Sequence, residues 1–228
     1  DNKEIYTRAM DVELFGNVPI LNLRKLPLDT DVARYTKRTF DIIFSSLVIL
    51  LVLSWLVPII GFLIKMESRG PVFFKQRRHG VNKQSFFCYK FRSMAVNKDA
   101  DTKMMTKNDV RLTKIGKFIR KTSIDELPQF INVLKGDMSV VGPRPHMEAH
   151  TREYESSVDK YLVRHYAKPG ITGLAQIKGY RGEVVVKSDI VNRTRLDIFY
   201  VEKWSLLLDV KIIVKTVLNA IGGEEKAY

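Results

Sequence analysis

A single cysteine, Cys88, among 228 residues leaves no partner for a disulfide within the chain and excludes a cysteine-built zinc site. A reducing compartment follows. Acid is scarce: 25 Asp and Glu face 38 Lys and Arg, a net charge of +13. That imbalance implies an anionic partner, whether nucleic acid, phosphorylated metabolite or acidic lipid. Too few long apolar runs exist for a polytopic membrane protein. A hydrophobic content of 45% is too high for a disordered chain. The first residue is Asp, and no signal-peptide pattern follows it, so the sequence reads as an excerpt or a processed chain. Its length suits one globular domain with a short appendage.

The charge is unevenly placed. Residues 1–36 carry five basic and six acidic residues, so the basic excess belongs to residues 37–228. The first segment has turn formers (Gly16-Asn17, Pro19, Pro27) and short apolar patches. It reads as the tail of a preceding domain plus a linker, with no function assigned. Residues 37–66 read as one segment, holding the long apolar run, and residues 67–228 as the main body.

Leu47–Ile64 holds no charged residue over 18 positions, about 27 Å of helix. It has no polar face, and a chain this small has little protein to cover a helix apolar all round, which favours membrane insertion over a core helix. Pro58 removes a backbone hydrogen bond inside the run, and Ser54 is placed to satisfy a freed carbonyl. Basic residues flank both ends: Arg34, Lys37 and Arg38 before it, Lys65, Arg69 and Lys75 after it. A single crossing concentrates them on one side, so a bent re-entrant hairpin is preferred to a span. Within Arg195–Ile221, the stretch WSLLLDVKIIVKTVLNAI fits an amphipathic surface helix and a core helix equally.

After the membrane run, PVFF and SFFCYKF read as a strand pair turning at Gly80-Val81-Asn82. Lys75, Arg77, Arg78, Lys83, Lys90 and Arg92 stud it. Such a surface suits acidic headgroups or phosphates; aromatics among basic residues also mark single-strand nucleic-acid binders, an option the adjacent membrane run disfavours. Asp99–Lys117 reads as a polar surface loop. Ser123-Ile-Asp-Glu126 fits a capping box opening a helix from Ile124 to Leu134 that Gly136 ends. Asp125 and Glu126 therefore either complement the helix dipole or, with depressed pKa values, bind a divalent cation; Mg²⁺ typically takes one or two carboxylates plus substrate phosphates. Arg120 and Lys121 precede the pair. Arg144 is held between Pro143 and Pro145, whose fixed φ angles stiffen a loop able to grip phosphate. In KPGITGLAQIKGYRG, Gly170 and Gly173 let backbone amides approach an anion, and Thr172, Gln176 and Arg181 add polar handles; the stretch does not match the Walker pattern. His146 and His150 have the i, i+4 spacing of a helical metal pair but no third ligand, and a surface or loop role is preferred.

These segments together resemble the bacterial sugar transferases, the monotopic polyprenol-phosphate phosphoglycosyl transferases. The likeness rests on KRTFD (Lys37–Asp41), the membrane run with Pro58, GPVFFKQ, YKFRSM, SIDELPQ, NVLKGDMSVVGPRP, KPGITGLAQ and LDIFYVEKWSLLLDVKI, in that order. Residues 1–36 look like the end of the extra N-terminal region of large, exopolysaccharide-initiating members. The resemblance implies a small α/β catalytic domain with one N-terminal re-entrant membrane helix hairpin and amphipathic interfacial helices. It implies transfer of a phosphosugar from a UDP-sugar to undecaprenyl phosphate, releasing UMP, on the cytoplasmic side of the bacterial inner membrane. On this reading Asp125 attacks the β-phosphate and Glu126, with Asp125, holds Mg²⁺. Arg120, Arg144 and Lys90 grip phosphate, and Thr172, Gln176 and Arg181 lie on the nucleotide-side loop. The partners are the sugar nucleotide, the polyprenol phosphate and the bilayer; nucleic acid is not one of them, and a homodimer is left open. The membrane helix break falls at Ser54 and Pro58, which Trp55-Leu56-Val57 separates here where family members often have a Ser-Pro step. The contrasting reading is a membrane-tethered basic adaptor binding acidic lipid or nucleic acid, which places no demand on Asp125.

Overall fold

The computed structural model describes residues 10–15, 18–23, 25–96, 109–182, 184 and 186–222. Strands β1 (Met10–Phe15) and β2 (Val18–Leu23) form an antiparallel hairpin ahead of the body. A 37-residue helical stretch, Asp31–Glu67, follows. It comprises α1 (Asp31–Val48), a π-helical segment Ile49–Leu53 and α2 (Ser54–Glu67). Thr30 caps its start, accepting from the Ala33 amide. Among the described residues this is the one helix long and apolar enough to cross a membrane by length and composition.

The irregularity lies upstream of Pro58, not at it. Pro58 sits inside α2, while the amide of Ser54 reaches back five residues to the Ile49 carbonyl. The Ser54 hydroxyl donates to the Leu50 carbonyl at 2.7 Å and the Trp55 indole to that of Leu51 at 2.8 Å. Polar side chains thus take up carbonyls in the π segment, and the one Ser54 takes lies upstream of any that Pro58 frees.

Both ends of this stretch dock on the same body. Near its start, Lys37 donates to Asp209 at 2.7 Å and to the Val141 carbonyl at 3.0 Å, and Arg38 donates to the carbonyls of Val133 and Leu134. Beyond its end, Arg92 holds the carbonyls of Ser68 and Arg69, each at 2.8 Å, and Glu67 accepts the amides of Lys114 and Ile115. One face (Leu53, Leu56, Ile60, Ile64) is buried in the main core, while Leu50, Leu51, Trp55, Ile59 and Phe62 stand exposed.

The expected strand pair forms. Strands β3 (Phe73–His79) and β4 (Ser85–Phe91) run antiparallel, pairing Lys75 with Tyr89 and Gln76 with Cys88. One face of the hairpin carries Gln76, Arg78, Cys88 and Lys90 together, because antiparallel partners share a face. Much of the stretch read as a polar loop lies outside the described residues. Its end is helix α3 (Lys114–Lys121), capped by Thr113, whose hydroxyl accepts the Gly116 amide at 2.9 Å.

The helix expected over 124–134 is divided. A 3₁₀ turn, Ile124–Glu126, is followed across Pro128 by α4 (Gln129–Lys135). Gly136 ends it as foreseen, with φ 95°. Strand β5 (Ser139–Val141) leads into the GPRP loop, and α5 (Glu148–Ser157) follows. Strand β6 (Gly170–Thr172) pairs parallel with β5, aligning Val141 with Thr172. The short α6 (Leu174–Ile177) leads to α7 (Lys187–Glu202) and α8 (Leu206–Gly222).

Two readings of the glycine-rich and C-terminal stretches change. Gly170 and Gly173 admit protein backbone: a Cβ on Gly170 would meet the Gly142 nitrogen at 2.0 Å, and one on Gly173 the Gly142 oxygen at 2.2 Å. Those glycines let β6 press on the start of the GPRP loop. Helix α8 combines both readings left open for it. Asp209 and Ile212 are fully buried against the body, while Leu207, Val210, Val214, Val217 and Leu218 are exposed, so its outer face is largely apolar rather than polar.

Candidate active site

Ser123 fixes the approach to the acids. It sits in the left-handed region (φ 60°), and its side chain makes no capping bond. Its hydroxyl instead accepts from Arg181 at 2.7 Å. The Ser-x-x-Glu pattern therefore builds a tight turn, with the Glu126 amide on the Ser123 carbonyl, and not a capping box. Neither acid is spent on closing off backbone.

Glu126 is the hub. Lys90 of β4 donates to Oε1 at 2.8 Å. Arg144 of the GPRP loop grips both oxygens, at 2.6 and 3.2 Å. Arg181 lies 3.5 Å from Oε2. Three cations from three distant segments thus converge on one carboxylate. Burial pushes Glu126 up, but the charges of Arg144 and Lys90 outweigh it and hold this carboxyl well below the usual range.

Asp125 differs in each respect. It is buried, yet among the described residues no donor bonds its carboxylate. Burial pushes its carboxyl up; Lys90 pulls it down, Glu126 adds to the rise, and Arg120 and Arg144 pull it down. The expectation that both acids are depressed therefore fails for Asp125. A single 3₁₀ turn offers too few aligned peptides for a useful dipole, and desolvation penalises the charged form. The pair consists of one clamped carboxylate and one unengaged one.

The loop that presents Arg144 is pinned from several sides. Arg164 donates to the Arg144 carbonyl at 2.6 Å, Gly170 donates its amide to the Pro143 carbonyl at 3.0 Å, and Arg78 donates to the Pro145 carbonyl. Arg120 is close enough to act on Asp125 electrostatically, with a guanidinium nitrogen 3.4 Å from the Ser93 hydroxyl.

The structure thus gathers Asp125, Glu126, Lys90, Arg120, Arg144 and Arg181. Thr172 and Gln176 are placed otherwise. Thr172 bonds the Thr216 hydroxyl of α8 at 2.6 Å, and Gln176 donates to the Ile171 carbonyl at 3.1 Å. Neither contacts the acids among the described residues. His146 does not pair with His150 on one helix: it precedes α5, with Nδ1 2.6 Å from the Tyr161 hydroxyl. Sequence reasoning missed Ser123, Arg78 and Arg164 as supports. The signal for Arg164 was a lone guanidinium within the apolar run YLVRHY, which cannot be buried unpaired.

Two carboxylates beside four cations make a surface with positive charge to spare, suited to a ligand carrying several negative charges. Among the described residues no three His, Cys, Asp or Glu gather as a self-sufficient metal cage. An adjacent carboxylate pair is a hard-oxygen donor set of the kind Mg²⁺ shares with substrate phosphates, and the unengaged Asp125 leaves oxygen free for it.

Known proteins share this chain's pattern. It is 44% identical over 218 residues, 95% of its length, to a UDP-glucose:undecaprenyl-phosphate glucose-1-phosphate transferase of Xanthomonas campestris pv. campestris, covering 45% of that protein. A UDP-N-acetylgalactosamine-undecaprenyl-phosphate N-acetylgalactosaminephosphotransferase of Aeromonas hydrophila is 39% identical over 96% of the chain and 52% of its own length. An exopolysaccharide production protein of Rhizobium leguminosarum bv. phaseoli is 45% identical over 81% of the chain, and there the match covers 94% of the relative. The chain spans about half the length of the first two. The sequence model for bacterial sugar transferases matches residues 32–223, and the chain belongs to that family.

Proposed function

We propose that this chain transfers a phosphosugar from a UDP-sugar to undecaprenyl phosphate in two covalent steps. The contrast between the acids carries the reading: Asp125 is unengaged while Glu126 is held by three cations. In the first step an ionised Asp125 oxygen attacks the β-phosphorus of the donor. The bond from that phosphorus to the bridging oxygen breaks, UMP departs with that oxygen, and a phosphosugar-aspartate remains. In the second, an oxygen of undecaprenyl phosphate attacks the same phosphorus and frees the carboxylate, giving undecaprenyl-diphosphate-sugar. Arg144, Lys90 and Arg120 offset the negative charge that otherwise repels one anion from another. Glu126 fixes Arg144 and Lys90 in place. Asp125 would hold Mg²⁺, which when bound neutralises phosphate charge, and Glu126 would join it only by giving up a donor from its oxygens.

The apolar run Leu47–Ile64 within residues 37–66 would enter and leave one leaflet of the bacterial inner membrane, with the exposed faces of α2 and α8 in lipid and the body on the cytoplasmic side. Support comes from the docking of both helix ends on one body, Lys37 on Asp209 and the Arg69 carbonyl on Arg92, which suits a segment whose two ends lie on one side. Cysteines placed before Lys37 and after Lys65, labelled in spheroplasts, should report the same side; opposite sides would replace the hairpin with a span.

The reaction is tested by incubating the chain with undecaprenyl phosphate and a panel of UDP-sugars and measuring UMP. Release with at least one donor is expected. None with any donor, together with salt-sensitive nucleic-acid binding, would favour the basic adaptor.

A further inference from the structure

Behind the acid pair lies a second buried group of charges. Arg164, His146, Tyr161, Arg193 and Asp197 are each under 10% exposed. Arg164 donates through Nε to Asp197 at 3.0 Å and through Nη2 to the Arg144 carbonyl at 2.6 Å. Its Nη1 lies 2.7 Å from His146 Nδ1 and 3.0 Å from the Tyr161 hydroxyl. A guanidinium has no acceptor, so Nδ1 accepts and the imidazole is neutral. On the far side of the same ring, Arg193 Nη1 packs 3.4 Å from Nε2, while Arg193 Nη2 donates to the Gly182 carbonyl at 2.8 Å. Arg193 and Asp197 are one turn apart on α7.

Two features separate this group from ordinary core packing. Its charges do not cancel: two guanidiniums share one carboxylate, and burying an excess charge is costly. Its outer contacts are also selective. One guanidinium holds the backbone of Arg144 itself, the other the backbone of the residue next to Arg181. Those two arginines, 37 positions apart in sequence, both reach Glu126.

We propose that Arg164 and Arg193, spaced by the His146 ring, are positioning residues that set the separation of Arg144 and Arg181 around the reacting phosphates. The inference rests on the transferase reading above. Neither residue touches the acids. Each acts through a loop carbonyl, and α7 serves as the common support. Arg164 must be a guanidinium because it meets several acceptors in one plane, which a single ammonium does not do, whereas Arg193 donates to the Gly182 carbonyl and packs its other nitrogen on the Nε2 edge of the ring.

The test is a double-mutant cycle on the full chain in detergent, read as UMP release against UDP-sugar concentration. Arg193→Gln should lower kcat/KM about tenfold, with a melting temperature close to that of the unaltered chain. In an Arg181→Ala background the same change should cost less than about twofold, because the arginine it positions is gone. Equal losses in both backgrounds, or no loss from Arg193→Gln alone, would overturn the proposal. Should Arg193→Gln fail to fold, Arg193→Lys keeps the charge and stem and enters the same cycle with the same criterion. The failures are distinguishable: no UMP from the unaltered chain defeats the transferase reading, whereas an active chain with an additive cycle defeats only the positioning role.

Discussion

The surroundings of Glu126 and those of Asp209 are both buried ionic clusters, built to opposite proportions. Around Asp209 there are acids to spare and donors for them. Lys37 lies 2.7 Å from Asp209 and 3.6 Å from Asp41. Tyr200 and Trp204 donate to Asp209 at 2.8 and 3.1 Å, and Ser139 and the Val140 amide donate to Asp41, each at 3.0 Å. Both Asp209 oxygens and Asp41 Oδ1 are occupied, and the cluster ties the apolar helix to α8 and β5. Around Glu126 cations exceed acids, and the neighbouring Asp125 accepts no donor among the described residues. A saturated cluster holds a fold together. One with excess positive charge and an idle carboxylate has room for a polyanionic reactant. A count of charges does not separate the two cases, but the state of the lone pairs does.

Three substitutions test that contrast, from the largest expected effect to the smallest. Asp125→Asn should reduce UMP release at least about a thousandfold, as loss of a nucleophile does, without lowering the melting temperature, because it deletes a buried charge that has no donor. A variant that turns over at the original rate would eliminate the covalent role. Lys37→Met should do the reverse. It strands two buried carboxylates and should cost about 3–5 kcal/mol of stability, measured by denaturant unfolding in detergent. The molecules that remain folded should keep their turnover, and an unchanged stability would show that the cluster contributes nothing to the fold. The mildest change is in pH dependence. Asp125 must be ionised to attack and burial raises its pKa, so activity should fall on the acid side at a pH above the ordinary aspartate range. Lys90 is the foremost charge pulling that value down, so Lys90→Met should move the acid limb to higher pH. A shift to lower pH would contradict the assigned electrostatics.

Much of the site was legible in the chain itself. The adjacent acids, the proline-framed Arg144, Lys90 in an aromatic strand and Arg120 before the turn each stood out because a charged residue in a stiff or apolar setting needs a reason to be there. The β3–β4 hairpin followed from alternation. Where the reading failed, the cause was a partner remote in sequence. Gly170 and Gly173 resemble an anion cradle until Gly142 is found against them. Ser123 and Glu126 have capping spacing, but Arg181, Arg144 and Lys90 offer the side chains stronger partners than the local amides do. Pro58 marks the apolar helix as irregular, while the π segment lies upstream, where Ser54 and Trp55 provide donors.

The sequence by itself determined the chemistry that was available: an apolar run with basic flanks, two adjacent carboxylates and a surplus of guanidiniums, since charge, hydropathy and backbone restriction are properties of residues taken singly or with near neighbours. Which acid is clamped and which is idle, and which arginines converge on the acid pair rather than brace a loop, only the tertiary structure decided. Those outcomes depend on hydrogen bonds and desolvation among segments 18 to 55 residues apart, and both are fixed only when the chain closes on itself.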